Sequence, residues 1–323
     1  MQDSQQSPDL PYRLSADEWL RIVDDDYLRG YIRRGGATVK LVVAEQQTRQ
    51  HVATVLLDYA RRADFVTAEV DARTCKVHLV HNLLNHIAED VDWPALARDV
   101  VRRGLTDRAL PPPSGEVLDL QEIADQHGLD LTLVRREMQQ MLTERIYKNS
   151  ELVREMRLAA VQLCLAAAEG TDQAAAMSQN IRDWFCGDLR LVGALKPALI
   201  FQKVNRHNAR GLLNSLGSWV RLAGKSGLVV VMDITRYLEP ASDPADGFRY
   251  PKSATIEAYE VVRQFIDGTD EMVGTMLVFL TGSDFQTDPL RGMRTYDALR
   301  LRLYDDVRDR SRPNPLSPLV SLH

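Results

Sequence analysis

The stretch Val39-Lys40-Leu41-Val42-Val43-Ala44 is apolar and rich in β-branched residues, a composition typical of a strand buried in the core of a sheet. Residues 49–62 follow with apolar side chains on one helical face, and Phe65-Val66-Thr67-Ala68-Glu69-Val70 is a second strand candidate. A strand, a helix and a strand at this spacing form a βαβ unit, in which the two strands are parallel. The stretch therefore predicts an α/β protein with a parallel sheet.

Strand patterns return only near the end of the chain. Leu228-Val229-Val230-Val231-Met232-Asp233, residues 276–280 and residues 318–322 are predicted strands, and residues 253–267 and 296–309 are predicted helices. Between residues 75 and 222 we find helical patterns and no convincing strand. We therefore expect one sheet that is divided by a large all-helical insertion.

The predicted organisation has four parts. They are a disordered tail over residues 1–14, the first part of the α/β core over 15–74, a helical insertion over 75–224, and the second part of the core over 225–323. A proline run, Pro111-Pro112-Pro113-Ser114-Gly115, predicts a linker inside the insertion near residues 111–115.

Composition excludes several classes of protein. The 323 residues are 45% hydrophobic and 26% charged, which is usual for a globular protein and excludes a collagen-like or wholly disordered chain. The formal charge of −5 gives no overall attraction to nucleic acid. Three widely spaced cysteines do not form a disulfide framework or a zinc ribbon. Without a signal-peptide pattern or a long apolar run, we expect a cytoplasmic protein that contacts no membrane.

A buried strand that leads into a helix, with a later apolar strand that ends in Asp, is the skeleton of a P-loop NTPase. That chemistry requires the motif G-x-x-x-x-G-K-[ST], whose backbone amides and lysine hold the phosphates and whose hydroxyl binds Mg²⁺. The corresponding residues here are Ala44-Glu45-Gln46-Gln47-Thr48-Arg49-Gln50-His51. Ala44 and Arg49 stand at the glycine positions, Gln50 at the lysine and His51 at the hydroxyl, so we expect this degenerate phosphate loop not to bind nucleotide.

The second half of such a site is only partly present. Asp233 supplies the acid that would hold Mg²⁺, but Ile234 stands where many ATPases have a Glu that activates water. Asp233 could also serve as a helix cap or in an ion pair. The sequence thus predicts no hydrolysis and no cofactor, with ATP and Mg²⁺ as the alternative.

Four stretches of the chain resemble the ATP-binding proteins of BREX-type phage-defence systems, BrxD and the related BrxC/PglY ATPases. They are residues 31–43 (YIRRGGATVKLVV), Asp183-Trp184-Phe185-Cys186-Gly187, Gly227-Leu228-Val229-Val230-Val231-Met232-Asp233, and Phe279-Leu280-Thr281-Gly282 with residues 288–299 (DPLRGMRTYDAL). The resemblance implies an AAA+-like P-loop fold. It places the phosphate loop on residues 44–51, the Mg²⁺ acid on Asp233 and a polar strand tip on Thr281, and it implies a degenerate paralogue that acts as a subunit or regulator.

Several arginines have both a functional and a structural interpretation. Arg291 and Arg294 could act as arginine fingers for an active partner, or they could bridge Asp288 or Asp297. Residues 120–147 have the pattern of a helix-turn-helix with Arg135 and Arg136 on the second helix, although two helices of an all-helical insertion produce the same pattern.

A local basic cluster, Lys203, Arg206 and Arg210, could contact phosphate or be a solvated surface. His81 and His86 are too far apart for one helix face, and His78 and His81 could share a face but lack an acidic third ligand, so we predict no metal. No catalytic triad is evident in the sequence.

Three hypotheses remain. The leading one is a catalytically inactive P-loop-fold scaffold or regulatory subunit of a prokaryotic anti-phage complex, whose protein partners include an active ATPase or a nuclease. The alternatives are a divergent AAA+-like ATPase and a DNA-binding adaptor that uses residues 120–147. The residue pattern favours a role without catalysis.

Overall fold

The computed structural model describes residues 14–113, 118–239, 244–305 and 314–323. Within them a five-stranded sheet has the order β2-β3-β4-β1-β5, and every neighbouring pair of strands is parallel. The strands are β1 (Ala37–Val43), β2 (Phe65–Asp71), β3 (Gly227–Asp233), β4 (Thr275–Thr281) and β5 (Leu319–Ser321). The predicted α/β class and parallel sheet are confirmed.

Both faces of the sheet are covered, which explains why the central strands are almost continuously apolar. Alternate residues of each strand point to opposite faces. Val42 of β1 packs with Trp19 and Leu56 on one face, whereas Leu41 and Val230 join the larger hydrophobic core on the other. The first face is covered by α1 (Ala16–Ile22), its π-helical continuation Val23–Ile32, and α2 (Gln46–Arg62).

The described residues between β2 and β3 form helices and contain no strand, as the sequence predicted. These helices are α3 (Val80–Glu89), α4 (Trp93–Thr106), α5 (Leu120–His127), α6 (Leu131–Leu142) with a π-helical turn Thr143–Tyr147, α7 (Arg154–Glu169), α8 (Asp172–Cys186), a 3-10 helix Val192–Ala198, and α9 (Ala209–Leu222). Trp93 stacks on Phe185 at a centroid distance of 4.0 Å inside this group. The insertion and the sheet share one hydrophobic core.

The last helix of the insertion lies directly against the sheet because it carries a glycine at the contact. A Cβ at Gly217 of α9 would stand 2.1 Å from the carbonyl oxygen of Val273, just before β4. Only a residue without a side chain permits this approach. The remaining helices follow β3 and β4: α10 (Lys252–Asp267), α11 (Asp284–Thr287), α12 (Asp297–Asp305), and 3-10 turns at Thr235–Leu238, Pro244–Asp246, Thr269–Glu271 and Met293–Thr295.

Most predicted elements agree with the structure to within one or two residues, and the exceptions lie at element ends. The helix predicted over 49–62 begins at Gln46, and the helix predicted over 296–309 is described up to Asp305. Residues 1–13 of the tail predicted over 1–14 and residues 114–115 of the predicted linker lie outside the described residues. Leu14 does not belong to a tail, since it is buried and forms a β-bridge with Leu322.

No helix in the described part of the chain has both the length and the apolar character needed to cross a bilayer.

Candidate functional site at the carboxyl edge of the sheet

The connection from β1 to α2 lies where a P-loop would hold phosphate. Only Ala44 and Glu45 separate the strand from the helix, and Gln46 is already helical. The amide of Arg49 donates to the carbonyl oxygen of Glu45 at 2.9 Å, which is an ordinary hydrogen bond of the first helical turn. The connection therefore contains no glycine-rich loop of the kind whose successive amides hold phosphate.

The side chain of Arg49 bridges the ends of two strands. Its Nη1 donates to the carbonyl oxygen of Ala44 at 2.8 Å, and its Nε donates to Oδ2 of Asp233 at 3.4 Å. The side chain is 11% exposed, and that of Asp233 is 36% exposed. A guanidinium therefore lies over the carboxyl edge between β1 and β3, close to Gly282 after β4.

Both carboxylate oxygens of Asp233 have protein partners. Oδ2 faces Arg49, and Oδ1 accepts hydrogen bonds from the amide and the hydroxyl of Thr235, at 2.8 and 2.5 Å. The hydrogen bonds to Thr235 close a turn directly after β3, which is a common role for Asp. The next residue, Ile234, is buried. The structure thus gives Asp233 both an ion pair and a turn-closing role.

Thr281, at the end of β4, is fully buried. Its carbonyl oxygen accepts a hydrogen bond from the amide of Ala44 at 3.0 Å, while its hydroxyl has no hydrogen-bond partner among the described residues. A buried hydroxyl without a partner is uncommon in a folded protein. Among the described residues, Oε1 of Gln286 near Glu45 is likewise buried without a partner.

The other residues of the predicted loop lie on the surface of α2. The side chains of Gln46, Gln47 and Gln50 are exposed, and His51 contacts Asp17 of α1 with 2.8 Å between Nε2 and Oδ1. A nearby depression that is open to solvent is lined by Glu45, Gln286 and Ser321.

The two candidate arginine fingers have different environments. Nη1 of Arg291 donates to the carbonyl oxygens of Tyr237 and Tyr250 and to the hydroxyl of Thr255, at 3.0–3.2 Å. The guanidinium therefore joins the loop after β3 to α10 instead of bridging Asp288 or Asp297. Arg294 is exposed.

The segment with a helix-turn-helix pattern does form two helices. α5 ends at Gly128, which has φ of 63°, and Asp130 caps α6 by accepting from the amide of Thr132. Arg135 and Arg136 are exposed on α6. Arg108, from the end of α4, pairs with Glu137 of α6 at 2.7 Å, so acidic groups lie near these arginines.

The three residues of the basic cluster near the start of α9 have different environments. Lys203 and Arg206 are exposed, whereas the guanidinium of Arg210 lies over the ring of Phe265 at 5.9 Å. The carbonyl oxygen of Lys203 accepts hydrogen bonds from the side-chain amides of Asn205 and Asn208, which holds the turn together.

A cluster of His78, Tyr237 and Tyr250 lies at the same edge, and no sequence pattern predicts it. Nδ1 of His78 lies 2.8 Å from the hydroxyl of Tyr237, which stacks on Tyr250 at a centroid distance of 4.0 Å. Burial lowers the pKa of His78 and raises that of Tyr250 to about 12. The sequence separates His78 and Tyr237 by 159 residues, so no spacing pattern could reveal the pair.

The cysteines and histidines do not assemble into a reactive or metal-binding centre. All three cysteines are free, and burial raises the pKa of Cys75 to about 12 and that of Cys186 to about 11. Such thiols are poor nucleophiles at neutral pH. In the part of the chain that the structure describes, no three His, Cys, Asp or Glu residues are placed to hold a metal ion.

A family model described as "BREX system ATP-binding protein BrxC/D" matches residues 115–323 of the chain, well over half of it. The chain belongs to the BrxC/D family. The predicted family resemblance is therefore confirmed. The match includes Asp233 and Thr281, whereas residues 44–51 lie outside it. No curated protein and no solved structure matches the chain.

Membership of the BrxC/D family indicates a role in a phage-defence system that consists of several proteins, and it implies ATP as a ligand. The described residues do not fit Mg²⁺-bound ATP. The short connection before α2 presents no phosphate cradle, Arg49 lies across the edge, and both oxygens of Asp233 are engaged.

Proposed function

We propose that the chain is a catalytically inactive P-loop-fold subunit, a pseudo-ATPase that acts in the cytoplasm as a scaffold or regulator of an anti-phage complex. The ion pair of Arg49 with Asp233 carries this proposal. A guanidinium supplies charge and donors at the edge where a nucleotide phosphate and its metal would bind. The site is therefore filled by the protein itself.

The strand order supports the fold part of this proposal. In the AAA+-like P-loop fold, one strand separates the strand before the phosphate loop from the strand that ends in the magnesium acid. Here β4 lies between β1 and β3, β1 leads into α2, and β3 ends in Asp233. In this interpretation residues 15–74 and 225–323 form the core and residues 75–224 form an insertion.

The chemistry of Mg²⁺ supports the proposed absence of ATP hydrolysis. Mg²⁺ requires octahedral oxygen ligands and usually retains waters that carboxylates hold in place. Asp233 would have to break its contacts with Arg49 and Thr235 to hold such waters, and Glu45 would add negative charge beside the phosphates. Neither change is compensated by the amide nest that a P-loop supplies.

Thermal unfolding with and without millimolar Mg²⁺ and ATP tests the proposal. We expect no change in Tm for the natural chain, while an intact P-loop ATPase measured in parallel shifts by several degrees. A ligand that binds only the folded state at a hundred times its Kd stabilises that state by about 2.7 kcal/mol. A Tm increase of several degrees for this chain would overturn the proposal.

A divergent ATPase is the second candidate, and the hydroxyl of Thr281 favours it. This buried group has no partner among the residues that the structure describes and lies at the carboxyl edge, where an oxygen of a bound phosphate could accept its hydrogen bond. In that case Mg²⁺ and ATP raise the Tm of the natural chain, and Thr281→Val removes most of the increase. The control Thr54→Val, on the exposed side of α2, leaves the increase unchanged.

A further inference from the structure

The charges of this protein are distributed unevenly along the chain. Residues 189–232 contain seven Lys and Arg residues and not one Asp or Glu. Because the whole chain has a formal charge of −5 and this stretch contributes +7, the remainder carries −12. A run of 44 residues without an acid, in a protein with 45 acids, concentrates positive charge in one segment.

The surface part of this segment is residues 190–207, which we name the basic apolar loop. It is a compact structure built on the 3-10 helix Val192–Ala198, with Leu195, Ala198 and Ile200 buried beneath it. Nε1 of Trp184 in α8 donates to the carbonyl oxygen of Gln202 at 2.8 Å and fixes its second half. The loop is thus held in a defined shape.

Three large apolar side chains of the basic apolar loop point into solvent. Leu191 is 76% exposed, Leu199 is 53% exposed and Phe201 is 57% exposed. Single exposed apolar residues are ordinary, but several within eleven residues of a fixed loop are typical of a contact surface.

Leu199 also has a strained backbone, with φ of 57°. Elsewhere between β2 and β3, α5, α7 and α8 end at Gly128, Gly170 and Gly187, which adopt the same left-handed conformation without strain from a Cβ. Ala109, after α4, is a second residue with a side chain in this conformation, with φ of 59°. At the equivalent position after the 3-10 helix the chain has a leucine whose side chain is exposed. Neither burial nor backbone geometry explains this residue, so we attribute it to contact with a partner.

Exposed cations surround these apolar side chains in sequence: Arg190, Lys196, Lys203 and Arg206. None of the four lies within salt-bridge distance of a carboxylate in the described residues. Apolar residues with charged neighbours correspond to the centre and rim of a protein interface.

We propose that the basic apolar loop docks a second protein of the defence system through an apolar patch with acidic residues at its rim. Two of the three exposed apolar side chains are leucines, which have no π-face on which a base could stack, and this favours a protein over nucleic acid. The inference rests on the proposed role as a subunit, but it is independent of whether ATP binds.

Photocrosslinking in cells that carry the complete defence system tests the contact directly. A photoreactive benzoylphenylalanine replaces Phe201 in the full chain, and a control chain carries it at Tyr147, an exposed aromatic residue of the π-helical turn after α6. We expect the chain substituted at position 201, and not the control, to crosslink to one other protein of the system, which mass spectrometry identifies.

The affinity of the full chain for that purified protein then measures how much the apolar residues and the basic residues of the loop each contribute. We expect Leu199→Gly with Phe201→Ser to weaken its affinity at least tenfold, and Lys203→Glu with Arg206→Glu to weaken it most strongly at low salt. The control Leu290→Ser, at another exposed leucine, leaves the affinity unchanged. Thermal melts confirm that each variant folds.

Other outcomes overturn the inference. These are no crosslink at position 201, a crosslink to a protein outside the system or to a second copy of this chain, and an affinity that neither double variant changes. Tight binding of a duplex or single-stranded oligonucleotide, lost in Lys203→Glu with Arg206→Glu, would assign the surface to nucleic acid instead. The ATP measurement uses the natural chain alone, so the proposed function and this inference fail separately.

Discussion

Charged residues at the carboxyl edge of the sheet contact other groups of the protein, whereas those of the basic apolar loop are exposed to solvent. At the edge, Arg49 and Asp233 neutralise each other, and Arg291 donates to the carbonyl oxygens of Tyr237 and Tyr250. In the basic apolar loop, Lys196 and Lys203 are exposed together with Leu199 and Phe201.

This contrast separates residues that stabilise the fold from residues that are available to a partner. The edge is where ligands of parallel α/β proteins usually bind, yet here Arg49, Asp233 and Arg291 serve internal contacts. Replacing a residue of the edge should therefore change the free energy of unfolding, and replacing an exposed residue of the basic apolar loop should not. The following predictions test this difference, beginning with the largest expected effect.

Arg291→Ala should cause the largest loss of stability among these variants. It removes a guanidinium that donates to two carbonyl oxygens and one hydroxyl, although the carbonyl oxygen of Tyr237 still accepts from the hydroxyl of Thr255. We expect the free energy of unfolding to fall by about 2–3 kcal/mol in urea denaturation. The matched control is Arg294→Ala, an exposed neighbour, with a change within about 0.5 kcal/mol. Equal effects of the two variants would contradict the structural role of Arg291.

The ion pair at the edge should contribute less, because Asp233 is partly exposed. Arg49→Met should lower the free energy of unfolding by about 1–2 kcal/mol, since Asp233 loses its counter-charge. Combined with Asp233→Asn, which keeps an acceptor for Thr235, the double variant should be less destabilised than the sum of the singles. Arg62→Met, an exposed residue of α2 paired with Asp58, is the control. Strict additivity would show that Arg49 and Asp233 do not interact.

His78 should make the free energy of unfolding of the protein depend on pH. Burial lowers its pKa in the folded state, so between pH 6.5 and that lowered value the unfolded chain binds more protons. Stability is therefore retained above pH 6.5 and lost as the pH falls below it. Because the ring is half-buried, we expect His78→Gln to reduce this loss by only a few tenths of a kcal/mol. Urea titrations from pH 8 to about pH 5 measure it, with the exposed His207→Gln as control.

Leu199→Gly should have the smallest effect on folding. Relief of the left-handed strain opposes the greater backbone freedom that glycine gives the unfolded chain, so the net change should be within about 0.5 kcal/mol. The nearby buried Leu195→Ala should instead cost about 2–5 kcal/mol. A loss for Leu199→Gly that approaches this range would show that Leu199 stabilises the fold and is not reserved for a partner.

The strand positions could be predicted from the sequence because the pattern that specifies them is local. Residues 228–233 are apolar at nearly every position, and only a strand covered on both faces buries such a run. The start of α2 could not be predicted in this way. Residues 46–48, Gln-Gln-Thr, have no apolar side chain to mark a helical face, and the amphipathic pattern begins only at residue 49.

The sequence alone also shows that residues 44–51 lack the glycines and the lysine of a P-loop motif, so the loss of phosphate binding could be predicted there. It could not reveal the partner of Arg49, because Asp233 is 184 residues away in the chain. The same limit applies to His78 and Tyr237.

The amino-acid sequence by itself determined the parallel α/β class, the run of helices between the second and third strands and the resemblance to the BrxC/D family, because short-range hydrophobic periodicity and residue types specify all three. Tertiary structure decided that β4 lies between β1 and β3, that Arg49 meets Asp233, and that Leu199 and Phe201 remain exposed. These facts depend on which distant segments pack together, and packing is a property of the whole folded chain.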